Sequence, residues 1–389
     1  MMQPIYVVGF GMVDGLGYDY NTCWDKMIDD NNYTSDIPEM VEQDYKINKG
    51  MPVNLDELVL QDNLPLKIRP SFSNSQMLGF HSTKRAIEMA GLPHSKNVSI
   101  VFSSVSNDIE MGVDMLNRVH NSKRVLVRRL VNRIPEMTSS HLSSLYGFMG
   151  NTVGLQASCA TGLASIDYGM YEAQESDYVI VGGSDAGCCN LAVKYFNQLG
   201  AIANHSAPFD ENRAGFLMGE GGATLVLMRE EMVEKYKVRP IARLYPMGKS
   251  NDAVEMTSPA SDGRGATIAI GKALQHVDSV DAVNAHATST PVGDEIEYNT
   301  IVNSIGEVPI WAPKSKIGHT LATAGVIETI YSILSMNRGV IPHIHNLETC
   351  TFDDKNLLVR ENMFKPAKRM LNNSFGFGGK NMAQVIEIC

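Results

Sequence analysis

The chain has 389 residues, of which 44% are hydrophobic and 20% charged, an ordinary globular composition that excludes wholesale disorder. A formal charge of -10 argues against general binding to nucleic acid or to an anionic membrane, and no apolar run reaches the roughly 18 residues of a membrane span. Six cysteines without an export signal point to reduced thiols in a cytoplasmic setting.

The opening MMQPIYVVGFGM has no basic segment ahead of its apolar stretch, so a first strand is expected over 5–8 rather than a secretion signal. Gly9-Phe-Gly11-Met-Val-Asp14-Gly15 has Asp14 where a dinucleotide fingerprint needs its third glycine, and reads as a tight turn. Residues 28–72 carry many Asp, Asn and Pro with weak periodicity and are expected to form a surface excursion. A helix is predicted over 75–89 and a strand over 98–102, then a helix over 161–174 and strands over 178–181, 223–228 and 240–245. Helices over 265–276, 294–304 and 322–336 follow, with strands over 282–285 and 383–388. This alternation predicts an α/β layered fold. Gly379-Lys380-Asn381 lacks the Ser or Thr that ends a P-loop, and is read as a turn.

The two halves are faintly alike. The run from Cys159 through Ala160, Thr161 and Gly162 resembles that from Leu321 through Ala322, Thr323 and Ala324, each a small-residue start to an apolar helix. The glycine-rich turns from Gly215 and from Gly376 each lead into an apolar strand. Two copies of one αβ unit would explain both likenesses, although matches this short also arise by chance.

Three residues draw attention as chemistry. Cys159 lies at the start of a predicted helix, where free N–H groups and the helix dipole favour thiolate and adjacent N–H groups can hold an oxyanion. A lone cysteine more often packs as a small hydrophobe, the reading kept for Cys188, Cys189 and Cys389. His286 follows a predicted strand, and His319 precedes the second small-residue helix. Either alone could be a hydrogen-bonded core histidine, and there is no CxxC or HxxxH spacing for zinc. One cysteine and two histidines suit a metal-free carbon–carbon condensation. An acyl group is held on the thiol, decarboxylation of a second thioester makes an enolate, and two imidazole N–H donors hold its oxygen.

Five motifs in order carry a resemblance over nearly the whole chain. They are Cys159-Ala-Thr-Gly, Pro208-Phe-Asp-Glu-Asn-Arg213-Ala-Gly-Phe-Leu-Met-Gly-Glu220-Gly, Asn284-Ala-His286-Ala-Thr288-Ser-Thr290-Pro-Val-Gly-Asp-Glu-Ile-Glu297, Lys314-Ser-Lys-Ile-Gly-His319 and Asn373-Ser-Phe375-Gly-Phe377-Gly-Gly-Lys-Asn. Together they resemble the elongating, Cys-His-His β-ketoacyl-acyl-carrier-protein synthases of the thiolase superfamily. The resemblance implies a duplicated five-layer αβαβα thiolase fold. The first half, 1–235, would hold the cysteine and the excursion; the second, 236–389, would hold both histidines. It implies Cys159 as acylated nucleophile, His286 and His319 in decarboxylation and condensation, and Lys314 with Glu297 as an ion pair behind them. The N–H groups of Cys159 and Phe377 would form the oxyanion hole, Thr288 and Thr290 would meet a pantetheine arm, Phe375 and Phe377 would belong to a gating loop, and Val105 would line the acyl pocket.

The implied reaction joins a Cys-bound acyl group to malonyl-carrier protein, as in fatty acid elongation, with no cofactor or metal. The family is usually a homodimer, with a heterodimer as the alternative. A polyketide or polyene ketosynthase would use the same chemistry. A non-catalytic chain-length subunit would typically lack Cys159, and a biosynthetic thiolase would need a second cysteine within 375–381, where there is none. The chain departs from the family pattern at Lys380, at Ala287 and over 103–107. Finally, Arg118, Lys123, Arg124, Arg128, Arg129 and Arg133 lie in a run without acids. Arg124, Arg128 and Arg129 are expected to help dock an acidic acyl carrier protein, with Lys67 and Arg69 as neighbours, unless the run is merely a solvated face.

Overall fold

The computed structural model describes residues 3–62, 72–105, 109–125, 127–134 and 136–389. Among them one eleven-stranded sheet runs through both halves. In the first half, Val98–Ser103 is parallel to Thr152–Val153 on one side and to Tyr178–Asp185 on the other. Tyr178–Asp185 is antiparallel to Gly221–Arg229, and Gly221–Arg229 to Ile5–Asp14. The second half repeats the succession. Ala282–Asn284 is parallel to Ile310–Trp311 and to Arg369–Gly376. Arg369–Gly376 is antiparallel to Lys380–Ile388, which is antiparallel to Gly248–Asn251. Ala242–Leu244 joins the halves by pairing with residues 5–7 and 386–388. The same sequence of ladders occurring twice is the signature of two copies of one unit.

Helices make the other layers. Asn74–Ala90 and Met137–Tyr146 cover the outer face of the first half, and Arg264–Leu274, with Gly293–Ile305 packed on it, covers the outer face of the second. Thr161–Glu172 and Ala324–Arg338 lie between, each touching strands of both halves, which gives five layers, αβαβα. Strands covered on both faces have no polar side to present, so Val98–Ser103 and Tyr178–Asp185 are buried along their whole length. Asn74–Ala90 begins at a capping box of Ser73 and Gln76 and ends at left-handed Gly91.

The two central helices meet through glycine. A Cβ on Gly162 would lie 2.8 Å from the Ala322 carbonyl oxygen and from the Gly325 nitrogen; one on Gly325 would lie 2.6 Å from the Leu163 nitrogen. Each helix is entered through a left-handed residue, Ser158 at φ 51° and Leu321 at φ 52°, three positions before Thr161 and Ala324 respectively. Structurally, then, Cys159 corresponds to Ala322, one residue beyond the match that the sequence likeness suggests.

Other expectations need correction. Over its described part, the 28–72 segment carries regular structure that its weak periodicity does not suggest. Ser35–Asp36, Lys49–Met51 and Met218–Gly219 form a small sheet, and Ile37, Met40 and Met51 are buried beneath it. Met218 also bridges to His319, so this sheet braces the second histidine loop. Periodicity passed over the strand Arg369–Gly376 because its centre is polar. Asn372 donates to the Gly325 carbonyl and Thr329 Oγ1, and Asn373 to Glu297 Oε1, all within the core.

Candidate active site

Cys159, His286 and His319 come from three loops and line one cavity of about 420 Å3, together with Phe216, Thr288, Thr290, Phe375 and Phe377. Cys159 precedes the central helix Thr161–Glu172 in a tight turn. Thr161 Oγ1 donates to the Ser158 carbonyl and accepts the Ala157 N–H, so the left-handed Ser158 is held from both sides. Gly376 passes directly over this turn, and a Cβ there would lie 3.1 Å from the Cys159 nitrogen. The sulfur feels the backbone N–H groups of Cys159 and Phe377 and the charge of Lys314. Burial outweighs them and pushes the thiol up to about 11, so the helix start does not make a resting thiolate. The thiol must lose its proton as it reacts.

The two imidazoles stand edge to face with centroids 5.7 Å apart, and His286 meets Phe375 at 5.8 Å. His319 packs edge-on against Phe216 at 5.1 Å, and neither of its ring nitrogens has a partner among the described residues. Its backbone is fixed, with its N–H donated to the Leu217 carbonyl and its own carbonyl accepting from Gly219. Burial, reinforced by the nearby Lys314 charge, holds both histidines well below the ordinary imidazole range, so both are neutral. Lys314 Nζ lies 3.4 Å from His286 Nδ1. An ammonium only donates, so Nδ1 is the acceptor and the proton of His286 sits on Nε2.

The expected pairing of Lys314 with Glu297 is not the one the fold makes. Lys314 is ion-paired with Glu328 on the central helix Ala324–Arg338, both fully buried. Glu297 instead accepts the backbone N–H groups of His286 at 2.8 Å and Ala287 at 2.7 Å, with Asn373 alongside. It clamps a loop in which Ala287 sits at φ 34° and Ser289 at φ 61°, left-handed positions that glycine would enter more easily. Glu328 was missed because it lies inside an apolar helix with no motif around it. Asn373 stands in the last of the five motifs, where nothing in the sequence shows that its side chain reaches Glu297.

Thr288 and Thr290 share a hydrogen bond at 3.3 Å on the cavity wall. Val105 is half-buried, is not among that cavity's lining residues, and donates its N–H to Asp185. The basic run is less free than its sequence implies: Arg118 and Arg129 both bind Asp114, at 2.8 and 2.6 Å. Arg124 is exposed, while the side chain of Arg128 and residues Lys67 and Arg69 lie outside the described set. No group of three or more His, Cys, Asp or Glu that could hold a metal occurs among the described residues, and no described helix is long and apolar enough to cross a membrane.

The layered fold is that of the ketosynthases. The chain matches, at TM-score 0.89 and 22% identity over 100% of both chains, the structure described as a type II PKS acyl-carrier protein in complex with its ketosynthase. Residues 2–232 match the β-ketoacyl synthase N-terminal domain and residues 241–348 its C-terminal domain, and the chain belongs to that family of acyltransferases. It is 28% identical, over 98% of each chain, to the 3-oxoacyl-[acyl-carrier-protein] synthase homolog of Saccharomyces cerevisiae. It is 34% identical to the mitochondrial 3-oxoacyl-[acyl-carrier-protein] synthase of Arabidopsis thaliana, a match spanning 63% of this chain and 58% of that protein.

Proposed function

We propose that this β-ketoacyl synthase condenses an acyl group held on Cys159 with malonyl-carrier protein, giving a β-ketoacyl-carrier protein two carbons longer and CO2. The observation that carries the reading is one cavity lined by a thiol and two neutral histidines. In the first half-reaction the Cys159 sulfur attacks the acyl thioester, its proton passes by way of a neutral imidazole to the departing carrier sulfur, and the carrier thiol leaves. In the second, the bond from the malonyl carboxylate carbon breaks. CO2 departs, and the electron pair forms an enolate whose oxygen accepts from the imidazole N–H groups, with His286 Nε2–H already set by Lys314. The carbanion attacks the Cys159 thioester carbonyl. The oxyanion then sits against the N–H groups of Cys159 and Phe377, and its collapse frees the thiolate.

Thr288 and Thr290, on the cavity wall, would meet the pantetheine arm, and Phe375 and Phe377 would form the gate. The yeast and plant relatives, named for an acyl-carrier substrate, support an acyl carrier protein as partner. A homodimer in a cytoplasmic setting is part of the same reading, supported by the family and by six free cysteines. The test is turnover of acyl- and malonyl-carrier protein with product mass and CO2 measured together. Release of CO2 without a lengthened product, or neither, would defeat the reading.

A further inference from the structure

The duplication pairs single residues across the halves. Tyr178–Asp185 and Arg369–Gly376 are corresponding strands of eight residues, which sets Asp185 against Gly376 at their ends. Their cross-strand partners correspond too, since Asp185 pairs with Gly221 and Gly376 with Lys380, each the first residue of the antiparallel partner strand. At Gly376 the missing side chain matters. A Cβ would lie 2.7 Å from the Ala157 carbonyl and 3.1 Å from the Cys159 nitrogen, over the N–H assigned to the oxyanion. Asp185 has the side chain that Gly376 lacks. Its carboxylate accepts the N–H of Ala322, the structural counterpart of Cys159, at 2.8 Å.

The same fully buried carboxylate accepts Ser104 Oγ at 2.8 Å and the Val105 N–H at 3.2 Å. Gln156 Nε2 reaches the Ser104 carbonyl at 3.0 Å, linking that loop to the segment before Cys159. One anion therefore joins the loop bearing Val105 to the turn Leu321–Thr323 that follows His319.

We propose that Asp185 is a positioning residue that plugs a second, symmetry-related N–H site, and that by doing so it locks the Val105 loop to the turn that directly follows His319. The inference rests on the reading of Cys159 and His319 as reacting groups. Among the described residues, Ser104 Oγ and the N–H groups of Val105 and Ala322 converge on the carboxylate. Asparagine offers one acceptor oxygen and turns an N–H2 toward the remaining donors, so one of the two loops is released. A displacement of about 1 Å at a reacting group costs on the order of 100-fold. The Cys159 turn is held by bonds of its own, from Thr161 to Ala157 and Ser158, and meets the Ser104 loop only through Gln156 among these contacts, so acylation is less sensitive than condensation. Asp185 is also one of the charges the thiol feels, raising it where Lys314 lowers it.

The test compares wild type, Asp185→Asn and the milder Ser104→Ala in three measurements. They are acylation of Cys159 by a small acyl thioester, condensation with malonyl-carrier protein, and the pH midpoint of Cys159 alkylation by iodoacetamide. Asp185→Asn should acylate within about threefold of wild type, condense roughly 10- to 100-fold more slowly, and alkylate with a midpoint at lower pH. Ser104→Ala should slow condensation in the same selective way, by less, and carries the test if Asp185→Asn does not fold. Equal losses in both half-reactions with an unmoved midpoint would make Asp185 merely structural, and unaltered condensation in both variants would equally overturn the proposal. If wild type itself makes no product, the fault lies in the functional reading. The alkylation midpoint then decides Asp185 alone: a downward shift supports its charge acting on the thiol, and no shift overturns that action.

Discussion

The two histidines share a cavity but are held in different ways. His286 is bonded through Nδ1 to Lys314 and through its backbone to Glu297, while the His319 ring has packing neighbours and no hydrogen-bond partner among the described residues. Neutral imidazoles suit the enolate because each offers an N–H without adding a further positive charge to a buried site beside Lys314. His286→Ala and His319→Ala should therefore each slow condensation by roughly 10²–10³-fold, with acylation of Cys159 reduced far less. Separate single-turnover assays of the two half-reactions check this, and wild-type CO2 release in both variants would contradict it. The expectation of a thiolate at the helix start failed for a definite reason. Sequence shows the favourable dipole and N–H groups but not the burial that outweighs them and keeps the thiol protonated up to about 11.

Among elements, the contact between the central helices is set by backbone rather than side chains. Gly162→Ala would place a methyl 2.8 Å from backbone atoms of the opposite helix, which cannot rotate away. Overpacking of this kind costs about 1–3 kcal/mol, and urea unfolding should show that loss. Stability unchanged from wild type would mean the helices can part without cost. Glu328 and Glu297 hold different elements, and their variants should differ accordingly. Glu328→Gln leaves Lys314 charged and unpaired in the core, a loss of about 3–5 kcal/mol; Glu297→Gln leaves one backbone N–H of the His286 loop unsatisfied, about 1–3 kcal/mol. Unfolding midpoints in the reverse order would overturn the assignment. The helices Asn74–Ala90, Arg264–Leu274, Gly293–Ile305 and the two central ones were legible because their apolar faces repeat, and Cys159, His286 and His319 because each lies in a distinctive small-residue motif; the serine-rich outer helix Met137–Tyr146 was not. Nor was the pairing of Lys314 with Glu328, since Glu328 lies fourteen positions on, and the turn and helix between them decide which carboxylate reaches the lysine. The strand Arg369–Gly376 was hidden by asparagines whose partners come from other elements.

For the whole molecule, a net charge of -10 repels an acidic carrier, so encounter depends on local cations. Pairing of Arg118 and Arg129 with Asp114 leaves Lys123 and Arg124 as exposed neighbouring cations, and Arg124 serves to test the basic run. Arg124→Glu should raise KM for carrier-bound substrate and weaken its dependence on salt, while acylation by small thioesters is unchanged. Equal effects on both substrate types would show that the run has no docking role. The central claim, that the acyl group rests on Cys159 and is consumed there, is tested most directly by intact-protein mass and peptide mapping during one turnover. Acyl-carrier protein should add one acyl mass at Cys159, and malonyl-carrier protein should then remove it with one β-ketoacyl product and one CO2. Acylation at another residue, or an acyl-Cys159 that malonyl-carrier protein leaves untouched, would contradict the account.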